Sequence, residues 1–95
     1  MTVETDVKVS YTILEEMNGF IQNHDIFPDE LVELGRIAID KLEKHKVNDY
    51  ETRKIVEGTK ELLKLQLEIN EENIKERDNL WKQHQAKFSP IGNHY

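Results

Sequence analysis

The side chains of this chain that could coordinate a metal or move a proton are its four histidines, His24, His45, His84 and His94, and its nineteen acidic residues. A metal centre carried on a helix takes paired ligands about one turn apart on one face, as in an i,i+4 pair. No two histidines stand at i,i+3 or i,i+4, and none has carboxylates fixed beside it in a ligand pattern. General acid–base work needs carboxylates held close together. Glu15-Glu16, Asp29-Glu30 and Glu71-Glu72 are adjacent in sequence, so on a helix their side chains point apart. There is no Gly-rich phosphate loop, no serine nucleophile pattern and no cysteine. These residues predict no catalytic, metal or cofactor site, and a protein that works by binding rather than as an enzyme.

Charge narrows what it could bind. Nineteen acids against thirteen Lys and Arg give a formal charge of −6, which opposes phosphate backbones and anionic membranes and makes nucleic acid an unlikely partner. A basic cluster around the second inter-helix turn (Lys41, Lys44, His45, Lys46, Arg53, Lys54) raises a helix-turn-helix alternative. Asp40, Glu43, Asp49 and Glu51 largely neutralise it. An acidic surface that mimics nucleic acid is a further alternative, weakened because the charges are mixed in sign along the helices. The first residues, Met1 to Asp6, have neither the basic nor the apolar region of a signal peptide. No apolar run approaches the roughly 18 residues of a membrane span. The expectation is a soluble, cytoplasmic protein with a protein partner.

The elements that would present such a surface are helices. Residues 1–9 are polar and read as a flexible lead. Leading into the next segment, 10–24, Val7, Val9, Tyr11 and Ile13 alternate like a strand and Asn18-Gly19 fits a hairpin turn. Leu14, Met17 and Ile21 at helical spacing, with Thr12 and Glu15 as a capping box, favour a helix there. Pro28 with Asp29 and Glu30 starts a second helix, about 28–45, whose stripe is Leu31, Leu34, Ala38 and Leu42. Gly35 lies near that stripe and would let a neighbouring helix come close. Asn48 with Glu51 reads as the start of a third helix, about 49–88, followed by a flexible tail over 89–95. The expected class is all-α: two short helices packed on a long C-terminal helix, as an oligomeric bundle. At about 1.5 Å per residue the third helix is roughly 60 Å long, more than the two short ones can cover.

"LLKLQLEI", residues 62–69, alternates as a strand would, but wound at 100° per residue the third helix separates into two apolar stripes. Val56, Leu63, Leu67, Ile74, Trp81 and Phe88 form one; Ile55, Leu62, Leu65, Ile69 and Leu80 form the other, about 120° away. A helix with two apolar faces serves two neighbours, its own chain and another molecule, most simply a second copy in a homodimer. The first stripe runs further toward the C-terminus, so Leu63, Leu67, Ile74, Arg77, Trp81 and Phe88 are the expected partner interface, with Leu65 and Ile69 turned inward. Trp81 is the expected anchor, since tryptophan is enriched in binding hot spots. Asn70, Arg77 and His84 stand at alternate heptad positions, where polar residues weaken a coiled coil but can fix its register. The competing reading is a small-molecule or nucleotide pocket between protomers, lined by Tyr11, Phe20, Tyr50 or Trp81.

Overall fold

A computed structural model describes the backbone of residues 2–93 and the side chains of residues 2–85. Its first element, α1 (Val3–Gln22), begins well before residue 10 and absorbs most of the expected flexible lead. Thr2 caps it, accepting from the Thr5 N–H at 3.2 Å, and Glu4 and Asp6 occupy the first turn, where the helix dipole favours acids. The buried line is Asp6, Ser10, Ile13 and Met17. Its two polar members are satisfied inside the fold: the Ser10 hydroxyl donates to the Asp6 carbonyl at 2.7 Å, and the Asp6 carboxylate meets His45 Nε2 at 2.5 Å. The hairpin reading falls because Asn18 and Gly19 lie inside α1. Thr12 does not cap either; its hydroxyl donates back to the Lys8 carbonyl at 3.2 Å.

α1 ends in a Schellman motif. His24 sits in the left-handed region at φ 57°, its N–H donates to the Ile21 carbonyl at 3.1 Å, and the Asp25 N–H donates to the Phe20 carbonyl at 2.8 Å. A non-glycine residue there costs roughly 1–2 kcal/mol. The turn reverses the chain, and Phe20 and Phe27 meet edge to face across it with centroids 6.1 Å apart. α2 (Asp29–Glu43) follows, with Pro28 at the N-cap position. It buries Leu31, Gly35, Ala38 and Leu42, whereas Leu34, expected on the stripe, is 47% exposed. Gly35 takes the centre of the face because α1 and α3 both close on it. A Cβ there would lie 2.6 Å from the Met17 methyl and 3.5 Å from a Leu67 methyl.

α3 (Tyr50–Asn93) is capped by Asp49, one residue later than the expected Asn48. Asp49 Oδ2 accepts from the Thr52 N–H at 2.9 Å and the Thr52 hydroxyl at 2.7 Å. The Arg53 guanidinium then clamps the Val47 carbonyl from Nη2 at 3.0 Å, closing the α2–α3 turn. At its other end α3 continues past Phe88 and through Pro90 to Asn93. Proline's fixed φ suits a helix, and the hydrogen bond it removes lies in the last turns, next to carbonyls that have no intrahelical partner in any case.

The three helices share one core: Ile13 and Met17 from α1, Leu31, Ala38 and Leu42 from α2, Val56 and Leu63 from α3, closed at the α1–α2 turn by Phe27. Met17, Leu42 and Leu63 are fully buried, and truncating such a side chain to alanine costs about 2–5 kcal/mol. The molecule measures 70 × 19 × 18 Å. Forty-four residues of α3 span about 66 Å against about 30 Å for the twenty of α1, so α3 runs on alone beyond the turn. Every described residue from Ile74 to Gln85 is exposed.

Candidate protein-binding surfaces on the long helix

The buried line of α3 is Val56, Thr59, Leu63 and Asn70, with Leu67 half-buried beside it. Two of its members are polar and both are satisfied. The Thr59 hydroxyl donates to the Ile55 carbonyl at 2.6 Å, and Asn70 Oδ1 accepts from the Phe27 N–H at 2.8 Å. One turn pair further on, Arg77 Nη2 donates to the His24 carbonyl at 2.9 Å. Two of the three polar heptad positions thus tie α3 to the α1–α2 turn.

This geometry divides the residues expected at a partner interface. Leu63 is fully buried in its own chain's core, and Leu67 packs against the same core, so neither is free for another molecule. Leu65, expected to face inward, is 49% exposed. The assignment of the two stripes is therefore reversed over the first half of α3. The stripe that faces α1 and α2 is the one interrupted by Thr59, whose hydroxyl is satisfied within α3 itself, and by Asn70, whose side chain finds its partner only once the chain has folded. Ile74, Arg77 and Trp81 do reach the surface, and Phe88 lies outside the described side chains, as does His94.

Two exposed apolar surfaces remain on α3. The distal one lies where the core line runs past the end of the α1–α2 hairpin. Trp81 is 58% exposed, Leu80 59% and Ile74 42%. The indole stacks on the His84 ring at 6.1 Å, and Arg77, Leu80 and Gln83 complete a shallow hollow. The proximal surface is a groove of about 600 Å³ beside α1, formed by Tyr11, Ile55, Gly58, Leu62 and Leu65 and flanked by Lys54, Glu61 and Glu68. Nothing lies within 4 Å of where a Cβ on Gly58 would be, so the floor of this groove is open.

The aromatic residues proposed to line a ligand pocket are not gathered in one place. Tyr11 edges the proximal groove, Phe20 packs on Phe27, Tyr50 lies beneath the Lys54 ammonium at 5.5 Å, and Trp81 sits on the projecting helix. Several cations around the α2–α3 turn are engaged locally. Lys44 pairs with Asp40 at 3.1 Å, Lys54 covers Tyr50 and Arg53 holds Val47. Among the described residues no group of three or more histidines and acids could hold a metal ion, and no helix is long and apolar enough to cross a membrane. A scan of protein-family models and searches of curated proteins and of solved structures find nothing that matches this chain.

Proposed function

We propose that this protein is a small acidic helical interaction module, an adaptor, inhibitor or assembly factor, that acts by binding a protein partner through the distal part of α3 rather than by catalysis. The observation that carries this reading is Trp81, 58% exposed beside Leu80 and Ile74 on a helix that has outrun its own core. In its first half the same line buries Val56 and Leu63 against α1 and α2. Past the tie of Arg77 to His24 it reaches Trp81, whose hollow is lined by α3 residues alone, Arg77, Leu80, Gln83 and His84. A partner helix or groove that continued the covering begun by α1 and α2 would bury Ile74 and Trp81 as an apolar centre. Arg77 and the charges around it would form the rim, the usual anatomy of a binding site.

The test is affinity capture from the native host with wild-type bait and with Trp81→Ala bait. The wild type is expected to retain a defined protein, and the variant to lose it while keeping its helical circular dichroism and melting temperature. Equal capture by both baits would remove Trp81 from the interface. Loss of the fold in the variant would mean that the indole supports the core, contrary to its exposure.

A further inference from the structure

The proximal groove has a different and more specific occupant. We infer that it binds the same groove of a second copy, with the two α3 helices antiparallel, and that the resulting dimer holds its two Trp81 surfaces at opposite ends. This rests on the reading above only for what the ends do; the dimer itself is argued from the groove.

Along the groove Ile55, Gly58, Leu62 and Leu65 follow the 3–4 spacing of a coiled-coil seam, half-exposed at 51%, 43% and 49% for the three larger residues. An antiparallel copy can lie in this seam with Ile55 opposite the partner's Leu65 and Leu62 opposite the partner's Gly58. Leu62 of each copy then enters the space left by a missing side chain, and the open floor at Gly58 is filled from across the axis. The flanking charges favour the same register. Lys54, Glu61 and Glu68 stand seven residues apart along one edge and all border the groove. Antiparallel pairing about Glu61 sets Lys54 against the partner's Glu68 and, by the two-fold symmetry, Glu68 against the partner's Lys54. A parallel pairing would put this edge on opposite sides of the seam in the two copies and leave Lys54 out of reach of the partner's Glu68. The antiparallel arrangement has one unfavourable pair, Glu61 against the partner's Glu61, which marks the axis and gives a direct test. Tyr11 of α1 lies at the edge of the seam and widens the contact. With the axis at Glu61, each Trp81 lies about 20 residues away along α3. The two indoles are then about 60 Å apart, as at the ends of a bivalent connector.

Sedimentation of the full chain across a micromolar to millimolar range is expected to show a dimer, converted to monomer by Leu65→Glu with helicity retained. Lys54→Glu or Glu68→Lys alone is expected to weaken the dimer about tenfold, and the two together to restore it, whereas Glu61→Gln tightens it several-fold. Because the chain has no cysteine, single replacements report the orientation. Glu61→Cys is expected to link to itself through a short bis-maleimide. Glu68→Cys is not, since its two copies would lie about 21 Å apart. A monomer at all concentrations, a dimer that links equally through both sites, or one dissolved by Trp81→Ala but not by Leu65→Glu would each overturn the proposal. A dimer of the expected register whose Trp81→Ala variant still captures the host partner would leave this inference standing and overturn the distal binding reading instead.

Discussion

Asn70 shows how one polar side chain organises the molecule. It is 2% exposed on the core line of α3, and its carbonyl oxygen takes the Phe27 N–H, which the turn at Pro28 leaves without a helical partner. An apolar residue at that position would strand a buried donor, at about 1–3 kcal/mol. Asn70→Ala is therefore expected to lower the free energy of unfolding by about that amount. Urea denaturation would show the midpoint moving with an unchanged slope, and an unmoved midpoint would mean that water replaces the side chain. Asp6 and His45 play a comparable part at the other end of the hairpin, joining α1 to the end of α2. Both features were hard to read in the sequence. A polar residue on a helix breaks the apolar period, and whether it is buried depends on a partner 39 or 43 residues away.

At the scale of the element, the start of α3 depends on a charged cap. The Thr52 hydroxyl, and after it the Thr52 N–H, hold the Asp49 carboxyl below its ordinary value of 3.8 by binding its ionised form, and slight desolvation opposes them. A carboxyl lowered in the folded state contributes stability that is present above 3.8 and disappears as the pH falls through the lowered value. Thermal melts of Asp49→Asn, which keeps an acceptor but not the charge, should fall below wild type near neutrality. The two should converge in acid, and a difference independent of pH would show that the cap acts through geometry alone. α1 teaches the complementary lesson. The apolar alternation of Val7, Val9, Tyr11 and Ile13 resembles a strand only while Asp6 and Ser10 are taken as surface residues. Once they are buried, Asp6, Ser10, Ile13 and Met17 form one helical line.

The whole molecule is a short bundle with a long projecting helix, and the two parts depend on each other very unevenly. Core residues end at Asn70, and the last tie to the hairpin is Arg77. A chain ending after Asp78 is expected to keep the melting behaviour of the full protein to within a few degrees, since the described side chains it loses, Asn79 to Gln85, are all exposed, while failing to capture the partner bound through Trp81. A large drop in melting temperature would show that the distal helix is covered by another molecule on which the fold relies.

Much of this was decided locally. The all-helical class, the three helices in order, the break at Phe27-Pro28 and the excess length of α3 follow from apolar spacing, a proline and helix-favouring residues, all of which act within a few positions of themselves. The sequence also set out two apolar stripes on α3. Which of them turns inward was settled only by tertiary structure. The stripes are similar in apolar content, and the difference lies in Asn70 and Arg77. Their hydrogen bonds to Phe27 and His24 form only when Gly35 admits Met17 and Leu67 and the α1–α2 turn comes within reach.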